Sequence, residues 1–154
     1  MDYRIPRRRG VSLLELLVVV SIMGVVAIVA VARFGPTVFG DFGSQSDARR
    51  LSLDVLQAQR RAISTGDNHF LRFASVAGQI TGYTLYRRTD SGPVQLDNFR
   101  AFSAQVQVTA SDTEMEFNFE GQALAAYRVR LAGAHRSWEV TIVPASGTAR
   151  VVEL

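Results

Sequence analysis

The sequence predicts an α+β chain: a long N-terminal helix able to cross a membrane, then an amphipathic helical part packed on an antiparallel β domain. Three observations predict it. Residues 11–32 form an apolar run interrupted only by Ser12, Glu15, Ser21 and Gly24. Residues 47–64 repeat apolar side chains at spacings of three and four, the period of a helix with one buried face. After Gly66 the period changes to two, in short stretches separated by turn residues.

The first element is a basic leader, residues 1–10. Arg4, Arg7, Arg8 and Arg9 stand there against one acid, Asp2, whereas residues 11–154 hold thirteen arginines and thirteen acids. The basic balance therefore belongs to the leader and does not announce a nucleic-acid-binding domain. The 154 residues contain no cysteine, which excludes a disulfide framework, a zinc ribbon and a thiol nucleophile.

The second element, residues 11–34, is long enough to span a bilayer as a helix. The leader arginines predict that it starts on the cytoplasmic side, with the rest of the chain across the membrane. An ordinary secretory signal accounts for the basic start and for Ala30-Val31-Ala32, with cleavage before Arg33; Arg7-Arg8 adds a hint of twin-arginine export. The apolar run exceeds the roughly 7–15 residues such a signal uses. A plain anchor explains the length. Neither reading explains Glu15. A central acid in a membrane helix costs about 2.5–3.5 kcal/mol on insertion scales, so an acid inside the run marks by default a functional site with a partner.

The segment RRRG-VSLLELLVVVSIMGVVAIVAVA, Arg7 to Ala32, supplies that partner by resemblance. It closely resembles the class III signal of type IV pilins and type II secretion pseudopilins. The resemblance implies that a prepilin peptidase cuts after Gly10 and methylates the new N-terminus at Val11. Glu15 is then the fifth mature residue. It would neutralise the new amine, on its own chain or on a neighbour joining a filament. A buried charge is tolerated when paired, and breaking such a pair is costly, so this pair sets register. Two positions depart from the family pattern. Val11 is smaller than the usual phenylalanine or methionine, and the twenty-second mature residue is Ala32 in place of a helix-kinking proline. The first proline of the mature chain is Pro36, so the helix is expected to run to about Phe34 and bend at Gly35-Pro36.

Residues 35–46, GPTVFGDFGSQS, read as a hinge or linker. A globular domain over 47–154 follows. It opens on a helix whose stripe is Ala48, Leu51, Val55, Ala58 and Ala62, widened by Leu56 and Ile63. Ser46 or Asp47 is the expected N-cap and Gly66 the expected stop. Arg49, Arg50, Arg60 and Arg61 fall mostly off the stripe, as on a solvated face. Roughly seven strands come next, in HFLRFAS, ITGYTLYRR, QVQVTA, EMEFNF, AYRVRLA, WEVTIV and ARVVEL. AQRRAISTGDNHFLRF, MEFNFEGQAL and WEVTIVPASGTARVVEL resemble successive segments of the GspH/FimT pseudopilin family, more loosely than the leader does. That resemblance implies a pilin-like fold.

No catalytic constellation stands out. His69 and His135 lack metal-ligand spacing. Ser146-Gly147 lacks a nucleophile elbow, and there is no phosphate loop or dinucleotide fingerprint. Asp112, Glu114 and Glu116 share one strand face opposite Met115, Phe117 and Phe119. They read as a solvated face, with a calcium site as the competing reading. Trp138, Val140 and Ile142 read as a core face. The chain is expected to be no enzyme and to need no cofactor. Its expected role is that of a minor pilin or pseudopilin in the bacterial inner membrane, with a single span, a cytoplasmic leader and a periplasmic domain. It would be assembled by an inner-membrane platform with other pilins into a type II secretion pseudopilus. The alternatives are a FimT-like minor type IV pilin in pilus assembly or DNA uptake, and an exported soluble binding domain. DNA-binding members of the family carry a Gly-Arg-x-Arg motif. Here that place reads Gly147-Thr148-Ala149-Arg150-Val151, so Arg150 alone remains for weak phosphate contact and nucleic acid is not expected as a partner.

Overall fold

A computed structural model describes residues 12–154. Helix α1 spans Leu13–Thr65. The chain divides into two compact units, one ending at Gly35 and one spanning Pro36–Leu154. In the first, every described side chain from Ser12 to Arg33 is exposed. A helix that is apolar on nearly every face and has no buried residue among those described needs lipid or other chains around it.

The second unit holds the rest of α1 and nine strands: β1 His69–Val76, β2 Gln79–Thr89, β3 Gly92–Gln95, β4 Arg100–Ala101, β5 Gln107–Ala110, β6 Glu114–Phe117, β7 Tyr127–Ala132, β8 Ser137–Ile142 and β9 Ala149–Glu153. All seven anticipated strands are present; β3 and β4 are additional, short, and both pair with β2. One sheet runs β3-β2-β1-β6 with β4 beside β2, and the other runs β5-β7-β8-β9. Every pairing is antiparallel.

The helical stripe is the spine of the core. Ala48, Leu51, Val55, Ala58 and Ala62 are all fully buried. They cluster with Leu71, Tyr83, Met115 and Phe117 of the first sheet and with Val108, Val129, Leu131, Val140 and Ile142 of the second. Three alanines in the stripe let helix and sheets approach closely. α1 ends where Gly66 adopts φ +73° and donates its N–H to the Ala62 carbonyl at 3.0 Å, the left-handed helix stop that glycine accepts without strain.

Several expectations need correction. Residues 35–46 are helical, not a linker, and Ser46 and Asp47 lie inside α1, so neither is a cap. The small residues there serve packing. A methyl added to Gly43 would sit 3.0 Å from the Ser103 Cβ, and Ser44 is fully buried with its hydroxyl donating to the Asp41 carbonyl at 2.9 Å. Leu56 and Ile63 do not widen the stripe; they are 37% and 56% exposed. Phe119 lies past the end of β6 and is exposed, unlike its strand mates Met115 and Phe117. Trp138 is partly buried against the core beside buried Val140 and Ile142.

Candidate assembly helix and processing site

Leu13–Arg33 is long and apolar enough to cross a membrane, and none of its residues is buried. Its polar residues are placed differently. Ser21 donates its hydroxyl to the Leu17 carbonyl one turn back at 2.8 Å, so it needs no outside partner in hydrocarbon. Gly24 has open space where a Cβ would stand. Glu15 lies in the first turn of α1, exposed, where the helix dipole favours a negative charge. Among the described residues nothing pairs with its carboxylate. The expected cleavage residues, Gly10 and Val11, lie outside the described residues.

The second unit presents three further acids of α1, of which sequence reasoning singled out only Asp47, and that one as a cap. The Asp41 carboxylate accepts the backbone N–H groups of His135 and Arg136 at 2.8 and 3.0 Å, which ties the β7–β8 turn to the helix. The His135 N–H, more than any other contact, holds the Asp41 carboxyl below its ordinary range. Asp47 accepts the Ser103 N–H at 2.7 Å and pairs with Arg50 at 3.0 Å, while Arg50 also donates to the Ala101 carbonyl. Asp54 accepts the buried Tyr83 hydroxyl at 2.6 Å and Arg100 at 2.9 Å. Burial first, and this bond to Asp54 second, push the Tyr83 phenol well above its ordinary range. The one legible signal was position: Asp47 and Asp54 each directly precede a stripe residue, Ala48 and Val55. Gln59 adds a fourth tie, donating to the carbonyls of Gly121 at 2.8 Å and Ser146 at 2.7 Å.

The remaining sequence candidates separate. His69 is buried on β1 with Nδ1 3.0 Å from the Asp67 carbonyl, and His135 lies in a turn 3.4 Å from Asp41. Among the described residues no three metal-ligating side chains converge. Glu114 and Glu116 are not a solvated face. Arg72 binds Glu114 at 2.7 Å, Arg88 bridges Glu114 and Glu116 at 3.0 and 2.6 Å, and Asn68 donates to Glu116 at 3.0 Å. The bond to Glu116 is the main reason the Arg88 guanidinium is held above its ordinary value. These two arginines also cover the ring of Phe70, which stacks on Tyr86. Arg150 is exposed on β9 opposite Thr141, whose other neighbour is Arg128. Arg128, Arg130 and Arg150 thus share the outer face of the second sheet, with Glu139 3.6 Å from Arg128.

Comparison with known proteins bears on both units. Residues 5–31 match the family described as the prokaryotic N-terminal methylation motif. The competence protein ComGD of Bacillus subtilis (strain 168) is 23% identical over 151 residues, covering 98% of both chains. The minor pseudopilin EpsH from the type 2 secretion system of Vibrio cholerae superposes with a TM-score of 0.60 at 15% identity, over 71% of this chain and 95% of its own. The type IV minor pilin FimU of Pseudomonas aeruginosa superposes with a TM-score of 0.52 at 17% identity, over 71% of this chain and 86% of its own.

Proposed function

We propose that this chain, type IV pilin-like in its methylation motif and in its fold, is a minor pseudopilin of a type II secretion machine. It is made as a precursor in the inner membrane. A prepilin peptidase removes residues 1–10, and Val11 becomes the methylated N-terminus. α1 up to Arg33 then moves from lipid into a bundle of like helices, where Glu15 neutralises the α-amino group of Val11 on its own or a neighbouring chain. The β domain stays on the periplasmic side. The chain performs no chemistry; it is a substrate of the peptidase and a part of the filament.

The observation that carries this reading is the helix Leu13–Arg33, unburied by its own chain, with one carboxylate in its first turn and no partner for it among the described residues. Such a carboxylate is costly in lipid and useful only where a cation meets it. The likeness to EpsH supports the secretion system. A second reading has its own support: the likeness to ComGD runs the length of both chains, which favours a competence filament.

The test is the N-terminus of the protein extracted from its native membrane. Val11 is expected, N-methylated. Arg33 would mean an ordinary signal peptide, and an intact Met1 a plain anchor. Gly10→Ala should accumulate as full-length precursor on an immunoblot, because a peptidase site built around glycine leaves no room for a methyl group. Normal maturation of Gly10→Ala would remove the class III signal from the argument.

A further inference from the structure

The outward side of α1 in the second unit carries a second pattern. Phe42, Leu53, Leu56 and Ile63 are 67%, 65%, 37% and 56% exposed. Together with exposed Arg49 and Arg60 they follow one seam, in steps that alternate four and three once Ser46 takes the place between Phe42 and Arg49. That alternation is the 3.5-residue repeat of a helix that packs along another helix. On a straight helix such a seam drifts by about 20° per heptad, so a partner would cross with a shallow left-handed wrap. Leu53 stands between two shallow grooves. One, of about 490 Å³, is lined by Phe42, Gln45 and Arg49 among others; the second, of about 260 Å³, lies against Thr148 and Ala149 at the start of β9.

Charge decides what can occupy this seam. The other arginines of this stretch are engaged: Arg50 with Asp47, and Arg61 with Asp97 at 3.6 Å. Arg49 and Arg60 have no carboxylate partner among the described residues. They are eleven residues apart, three helical turns, or about 16 Å along the axis. The acids of the same stretch, Asp41, Asp47 and Asp54, are all turned to the β domain, and Asp47 and Asp54 are buried. The same seam of a second copy would therefore bring two more arginines and no acid. We infer that this seam docks a helix of a different pilin-like subunit, one that presents apolar side chains at heptad spacing and two carboxylates three turns apart. The inference rests on the assembly reading above and names the kind of partner that reading requires.

The test uses the full chain in its native membrane, with a photo-cross-linking residue in place of Leu53 and, separately, of Val18 in the apolar helix. The Leu53 probe should join a different subunit, and the cross-linked peptide should be a helical segment with carboxylates three turns apart. Arg49→Glu with Arg60→Glu should lower that yield roughly tenfold or more, and reversing the partner's two carboxylates to arginine should restore it. Leu53→Asp, at an exposed site, should weaken co-purification roughly ten- to a hundredfold while leaving the circular dichroism unchanged. Cross-linking to a second copy of this chain, or indifference to the charge reversal, overturns the inference. A Val18 cross-link to other pilins with none from Leu53 overturns it and leaves the assembly reading intact. No cross-link from either probe, with the leader still attached, overturns both.

Discussion

Single residues carry the two sharpest consequences. Glu15→Ala removes a charge that costs energy in lipid, so insertion should not suffer, and cleavage five residues away should proceed. Assembly should fail. The Val11 amine would enter a helical bundle without its counter-ion, and an orphaned buried charge costs roughly 3–5 kcal/mol, two to three decades or more in incorporation. Co-purification with partner pilins measures this, with Glu15→Gln as the variant that keeps shape and loses charge; wild-type yields from both would mean the pair is not the assembly device. Tyr83 makes the second case. Its phenol is held protonated by burial and by Asp54, so its folded pKa lies above the ordinary value of 10.0. The folded state then binds that proton more tightly than the unfolded chain. The associated stability is complete below pH 10 and declines as pH rises above it. Tyr83→Phe should lose about 1.5–3 kcal/mol at neutral pH, the worth of a hydrogen bond to a charged group. It should also flatten the alkaline slope of a urea-denaturation series. An unchanged slope would assign the alkaline transition to another group.

At the scale of elements, α1 is held to the sheets by polar ties as well as by its stripe. Asp41 takes the β7–β8 turn, Asp47 the segment before β5, and Asp54 the β2 tyrosine. Gln59 joins two turns that are far apart in sequence, at Gly121 and Ser146. Gly147 sits inside that clamp with φ +62°, and a Cβ there would fall 2.2 Å from the Gly121 carbonyl and 2.4 Å from Gln59 Nε2. Gly78 also has positive φ, but nothing lies within 4 Å of its Cβ position. Gly147→Ala should therefore cost about 2–3 kcal/mol, from left-handed strain plus displaced hydrogen bonds, and Gly78→Ala only about 1 kcal/mol. Denaturation midpoints of the two variants decide it. Equal losses would mean that the clamp is slack.

For the whole molecule, the division at Gly35 and Pro36 makes a direct prediction. A chain starting at Pro36 keeps the buried stripe and both sheets and drops the unburied helix. It should fold alone, with two-state unfolding and strand signal in circular dichroism. Aggregation with loss of that signal would mean that the first unit supports the fold. The same soluble protein should bind DNA weakly at physiological salt. Arg128, Arg130 and Arg150 share one face, yet the arginines and acids from residue 11 on balance, and phosphate binding scales with the cations a surface can commit. A sub-micromolar gel shift lost in Arg150→Ala would overturn this and move the competence reading to first place.

The sequence by itself determined whatever depends on local period and on composition. The apolar helix with its single acid, the stripe from Ala48 to Ala62, the stop at Gly66 and seven strands were all legible, because side-chain repeats of 3.6 and 2 report which face is buried. Only tertiary structure decided what depends on the neighbour across a gap. Residues 35–46 look like a linker because glycine and serine are small and mobile in isolation. In the fold their smallness lets the helix lie against the Ser103 segment and the β7–β8 turn. Glu114 and Glu116 look solvated until antiparallel pairing sets β1 beside both β2 and β6, which brings Arg72 and Arg88 over them. Leu56 and Ile63 look like core by spacing, but the sheets cover only one side of α1. A periodic pattern records that a face is apolar; which chain covers that face is decided by what the fold, or another subunit, brings to it.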